Sequence, residues 1–242
     1  MGSAVCDAVR AATDLDLVAT LDSTDTIDAH SLNGAEVAIE FTTPCATRAN
    51  TETILAAGTH AVVGTTGWDE TGFDAVRHAC DTFGTHALIA PNFALSAVLA
   101  MRFAATAAPL FDSVEIIEAH HPNKVDAPSG TAWTTAEMVA RARRNAGRDA
   151  ASPDATESDP LGARGAVIDG VHVHAIRAAG RVAHEEIILG NPGETLTIRT
   201  DCIDRASFMP GVLLAARFVL TQPGLTVGLE PVIDAMMVRK AR

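Results

Sequence analysis

The chain has 242 residues, 48% of them hydrophobic and 20% charged, and a formal net charge of -12. That is enough for one large domain or two modest ones with a real core, and so acidic a balance argues against a nucleic-acid partner, which would favour a basic face. No apolar run approaches the ~18 residues of a membrane span, and no basic-then-apolar opening marks a secretory signal. Cys6, Cys45, Cys80 and Cys202 form no C-x-x-C pair and are read as scattered reduced thiols. The default is a cytoplasmic protein with no nucleic acid and no membrane among its partners.

In chain order, 3–14 has a helical pattern and LDLVATLD (15–22) a strand-like one. AEVAIEFT (35–42) is an apolar strand, 47–58 a helix closed by Gly58, and HAVVGTT (60–66) a strand. Residues 68–84 are mostly helical and HALIAPN (86–92) is a strand. Short apolar runs alternating with helices predict βαβ units and a parallel sheet covered on both faces. Ligands of such sheets bind at the carboxyl ends of the strands, here Asp22, Thr42-Thr43, Gly64-Thr65-Thr66 and Pro91-Asn92. After residue 92 the pattern changes. Residues 93–111 form a long apolar helix, 112–121 a strand, 131–147 a helix, and the Pro/Ser/Asp-rich 148–165 a surface loop. The stretch 171–201 reads as successive strands of an antiparallel or mixed sheet. A helix follows over 205–224, in which Pro210 predicts a kink or a late start. A dinucleotide-binding fold would open with a strand and a G-x-G-x-x-G turn. Here the helical pattern starts at once, and only Gly2 stands where the last such glycine would.

The densest chemistry is EAHHPNKVDAPSGTA (118–132). Ser129 or Thr131 can cap the following helix, and Gly130 lets its backbone approach a ligand. Free N–H groups and the helix dipole then favour an anion, although plain N-capping needs no ligand. His120, His121 and Lys124 supply proton donors at neutral pH. Consecutive strand residues point to opposite faces, unless the strand has already ended, as Pro122 suggests. The set suits a carboxylate-bearing substrate that is protonated during reaction. A metal on His120, His121 and Asp126 is disfavoured, because adjacent histidines rarely chelate one ion and Lys124 would repel it. GTTG (64–67) and APNF (90–93) are small, amide-rich turns against which a flat ring and its ribose could lie, or simply ordinary βα turns. Asp22 either takes ribose hydroxyls or caps its own turn. With Ser23 beside it and no cation, it leans toward NADH over NADPH.

Together these residues resemble the dihydrodipicolinate reductases, now called 4-hydroxy-tetrahydrodipicolinate reductases, of the diaminopimelate and lysine pathway. The resemblance rests on E-A-H-H-P-N-K-V-D-A-P-S-G-T-A, A-V-V-G-T-T-G, A-P-N-F, G-E-T-L-T-I-R and R-A-S-F-M-P-G-V-L-L-A, and spans nearly the whole chain. It implies an α/β fold: a Rossmann-like dinucleotide-binding domain (1–92 and 210–242), lacking its first strand and glycine-rich loop, with an α+β substrate and tetramerisation domain (93–209) whose mixed sheet builds a homotetramer. It implies His120 as catalytic proton donor/acceptor and Lys124 as proton donor. His121, Gly130 and Thr131 would bind the substrate dicarboxylate. Gly64, Thr65, Thr66, Ala90, Pro91, Asn92 and Phe93 would contact NADH or NADPH, and Asp22 the adenosine ribose. The reaction implied is reduction of a cyclic unsaturated dicarboxylate to tetrahydrodipicolinate, with no metal. Thr200 stands where many relatives carry histidine. Two rivals come from other classes: a truncated, nucleotide-impaired, non-catalytic relative, and a metal-dependent hydrolase.

Overall fold

Val37–Glu40 (β1), His60–Val63 (β2), His86–Ile89 (β3) and Gly224–Val227 (β9) form a wholly parallel sheet, in the order β1-β2-β3-β9, in the computed structural model, which describes residues 1–240. These strands belong to one of the two units into which the chain divides, Met1–Leu95 together with the chain from Arg205 on; Ser96–Asp204 is the other. The central strands read as unbroken apolar runs because helices cover both faces. Ala61, Val63, Ala87 and Ile89 meet Ile54 and Leu55 of α2 (Thr47–Ala56) and Val76, Ala79 and Cys80 of α3 (Glu70–Phe83) in one core. Local signals set the bounds of α3. The Asp69 carboxylate accepts from the Gly72 N–H at 2.8 Å, and Gly84 ends the helix at φ +65°, the left-handed conformation that glycine adopts without a Cβ penalty. The unit is completed by α1 (Gly2–Ala11), α6 (Met209–Val219) and α7 (Glu230–Lys240).

Three expectations for this unit change. Residues 15–22 form no strand. A strand needs a ladder partner, and among the described residues none runs beside this segment; the Asn33 side-chain amide donates to the Val18 carbonyl at 2.9 Å. The predicted helix over 205–224 is a 3₁₀ turn (Arg205–Phe208) followed by α6, with Pro210 in its first turn. This is the late start, at the one place where a missing N–H is harmless. Gly224, expected to end that helix, opens β9, and the residues after it, unassigned in the sequence, supply the rest of β9 and α7.

In the second unit, β4 (Ser113–His120) lies at the centre of a five-stranded mixed sheet with β5 (Ala166–Ile168), β6 (Val171–Arg177), β7 (Ala183–Asn191) and β8 (Glu194–Cys202), in the order β5-β6-β4-β7-β8. The β4–β6 pair is parallel and the others antiparallel. The short β5 falls next to the predicted loop, and 148–165 has neither helix nor strand. Val114 and Ile116 face the core, where they meet Ala132, Ala136, Val139 and Ala140 of α5 (Gly130–Asn145) and Ala100 and Ala104 of α4 (Leu95–Ala107). Thr200, buried on β8, donates its hydroxyl to Ser96 of α4 at 2.7 Å.

Candidate active site

Side chains alternate across a strand, so the face of β4 that carries Val114 and Ile116 continues through Glu118 and His120. The core therefore turns polar at the carboxyl end of β4, where the chain leaves the strand and enters the turn leading to α5. Glu118 is wholly buried. Its Oε2 accepts from His120 Nδ1 at 2.6 Å and Arg177 Nη1 at 2.8 Å, and its Oε1 from Arg177 Nη2 at 2.8 Å and the Ser129 N–H at 3.0 Å. Burial pushes the Glu118 carboxyl up, but the Arg177 and then the His120 hydrogen bonds outweigh it, and the group is held below the usual glutamate range. His120 moves down from the ordinary histidine value. Burial is the main cause, opposed by Glu118 and reinforced by Lys124 and Arg177. Its ring is thus neutral at neutral pH.

Lys124 follows in the turn, its N–H donating to the His121 carbonyl at 3.1 Å and its Nζ paired with Asp126 Oδ1 at 2.9 Å. The lysine pair, first of all causes, lowers the Asp126 carboxyl. His121, the first residue past the strand, is exposed. Ser129 is the N-cap of α5, its hydroxyl accepting from the Ala132 N–H at 3.2 Å. A Cβ placed on Gly130 would meet nothing within 4 Å, so the first turn of α5 is open on that side. His120, Lys124 and the Gly130-Thr131 helix start thus gather within one turn and its flanking elements. Among the described residues no three His, Cys, Asp or Glu side chains converge as a metal site.

The residues expected to meet a nucleotide lie in the other unit. Gly64-Thr65-Thr66 and Ala90–Phe93 follow β2 and β3 at their carboxyl ends. A Cβ on Gly64 would stand 1.9 Å from Phe41 Cε1, so the Phe41 ring, itself edge-on to Phe93 at 5.7 Å, occupies the space that the missing side chain leaves. Thr65 Oγ1 accepts from the Thr42 N–H at 2.8 Å, and the Asn92 carboxamide oxygen accepts from the Ala94 N–H at 2.8 Å. Asp22 is not at a strand end. Its Oδ1 accepts from the Thr24 N–H and hydroxyl at 2.8 and 2.7 Å, a self-capped turn. The first turn of α1 has no side-chain cap and no acidic residue.

Sequence reasoning missed Glu118, Arg177 and Glu185. Glu118 carried a signal, standing two residues before His120 and so on the same strand face. Arg177 carried none, because its approach depends on the β4–β6 register, in which His120 lies beside Arg177.

The family model described as dihydrodipicolinate reductase, N-terminus, matches residues 1–93, and the C-terminus model matches 96–233. A 4-hydroxy-tetrahydrodipicolinate reductase of Beutenbergia cavernae is 59% identical over 97% of this chain and 94% of its own length. One from Nocardia farcinica is 54% identical with the same coverage. The dipicolinate-bound dihydrodipicolinate reductase of Paenisporosarcina sp. TG-14 superposes with a TM-score of 0.84 at 34% identity, over 95% of this chain and 94% of that one. The chain belongs to the dihydrodipicolinate reductase family, the 4-hydroxy-tetrahydrodipicolinate reductases, NAD(P)H-dependent oxidoreductases of lysine and diaminopimelate biosynthesis.

Proposed function

We propose that Lys124 and His120 handle the proton of this reduction, that His121, Gly130 and Thr131 hold the substrate carboxylates, and that NADH is the preferred reductant. The carrying observation is that one short turn joins the Glu118-bound His120 and the lysine to the open start of α5. A helix N-terminus favours an anion, and a cation beside it stabilises negative charge that develops on the substrate. His120 is neutral at neutral pH with Nδ1 engaged by Glu118, so Lys124 is the better acid and His120 the relay. The ligand of the Paenisporosarcina structure, dipicolinate, is a dicarboxylate of the class this arrangement would take.

The nucleotide would lie on the first unit. Gly64, Thr65, Thr66 and Ala90–Phe93 form small turns at the carboxyl edge of the parallel sheet, and the uncapped first turn of α1 offers N–H groups suited to a phosphate. When bound, the nicotinamide supplies the hydride. Asp22 keeps Oδ2 clear of its own turn; it suits a ribose hydroxyl and would repel a 2′-phosphate. The units would then divide as nucleotide and substrate domains, over 1–92 with 210–242 and over 93–209. A homotetramer in the cytoplasm completes the reading, and no helix among the described residues is long and apolar enough to cross a membrane.

The test follows NADH and NADPH oxidation with the freshly generated cyclic substrate, in the wild type and in Lys124→Ala. The variant is expected to lose roughly 100-fold or more in kcat while nucleotide affinity stays within about threefold. A kcat within about threefold of wild type removes Lys124 from this role, and a higher kcat/KM with NADPH overturns the cofactor assignment.

A further inference from the structure

We propose that Glu118 is the positioning residue for His120: it fixes which imidazole nitrogen faces away from the core, and it ties that ring to the start of α5. The inference rests on the reading of His120 as a proton-handling group. Four donors converge on the two Glu118 oxygens, and three of them, the two Arg177 N–H groups and the Ser129 amide, can only donate. A carboxyl so surrounded is an acceptor on every side, with no proton to offer. The 2.6 Å contact with His120 therefore requires the hydrogen on Nδ1, which leaves the lone pair on Nε2. One buried anion thus holds together a ring from β4, a guanidinium from β6 and the cap of the helix that presents Gly130 and Thr131.

The neighbouring carboxyl does not compete for this task. Glu185 of β7 pairs with Glu118 across the antiparallel ladder. Its Oε1 lies 2.9 Å from Thr135 Oγ1, which in turn lies 2.9 Å from the Thr131 carbonyl. That single hydroxyl hydrogen is shared between the carbonyl and Glu185, and no other donor reaches this carboxyl among the described residues. Of the two facing carboxyls, Glu118 holds the charge and Arg177 balances it. The other charged groups near His120 are Lys124 and its partner Asp126, both from the turn.

Two measurements on the full chain test this. Long-range ¹⁵N–¹H correlations of the His120 ring, recorded at neutral pH, are expected to show the Nδ1–H form. Glu118→Gln is expected to lower kcat roughly 10- to 100-fold, with KM for substrate and nucleotide within about threefold, and to shift the ring toward Nε2–H. In a His120→Gln background the same change is expected to cost less than about twofold, because it acts through the ring. A wild-type ring in the Nε2–H form overturns the proposal, and so does a Glu118→Gln kcat within about threefold of wild type. Losses that multiply in the double variant overturn it as well, since they mark an independent structural role. Should Glu118→Gln fail to fold, the wild-type tautomer decides. A chain without reductase activity overturns the functional reading and leaves the tautomer measurement standing.

Discussion

Glu118 and Glu185 are partners across β4 and β7, one carboxyl held below the ordinary glutamate value and the other pushed above it. Burial pushes the Glu185 carboxyl up to about 7, Thr135 opposes this, and Glu118 adds to it. Between the ordinary glutamate value of 4.5 and about 7, the folded protein holds a proton here that the unfolded chain has released. Stability from this site is therefore full below the ordinary value and is lost as pH rises through the folded one. Urea unfolding on either side of that window is expected to show a loss of up to ~3 kcal/mol in the wild type. Glu185→Gln keeps the shape without the titration and is expected to flatten that slope.

His60 links stability to pH with the opposite sign. Its Nδ1 accepts from the His86 N–H at 2.8 Å, and the two rings stack at 4.4 Å. Burial first, then the His86 charge, lowers its pKa below 6.5. The unfolded chain takes up a proton before the folded one does, so stability is lost as pH falls below 6.5. His60→Gln, which retains an acceptor, is expected to make the acid limb of a thermal-melt series shallower.

Gly64 is constrained by Phe41 rather than by its backbone angle. Gly64→Ala drives a methyl into the ring and is expected to cost about 1–3 kcal/mol. Phe41→Ala in the same chain should recover much of the loss by making room. Denaturant titration of the two single variants and the double reads this coupling directly.

Arg143 is a buried cation that binds carbonyls only. It donates to Phe111 at 2.6 Å, Asp112 at 3.0 Å and Ala108 at 3.3 Å, where α4 hands over to β4, and to Asp149 at 2.8 Å, just beyond α5. Arg143→Met keeps the stem but orphans these acceptors. It is expected to lower stability by about 3 kcal/mol or more, measured by urea unfolding, with kcat of the folded fraction unchanged.

Much of the architecture was legible in the residues. Val62 and Leu88 sit in short apolar runs and Ile116 in an alternating stretch, patterns that announce strands, and Asp69, Gly84 and Ser129 mark helix ends by local chemistry. The same kind of pattern misled at Leu15–Asp22, because alternation makes a segment able to pair but cannot provide its partner. Gly224–Val227 is the converse: four residues with a weak pattern became a strand because β3 offered them a ladder.

The candidate site divides in the same way. His120, Lys124 and the Ser129-Gly130-Thr131 helix start lie within a dozen residues, so chain connectivity alone brings them together, and the sequence by itself determined them. The protonation pattern depends on residues the chain brings from afar. Arg177 reaches Glu118 only through the parallel β4–β6 register, and Glu185 faces it only through the antiparallel β4–β7 register. Burial, which sets the charge on each of these groups, is a property of the packed sheet and helix. The tertiary structure alone decided it, because desolvation has no counterpart in the extended chain.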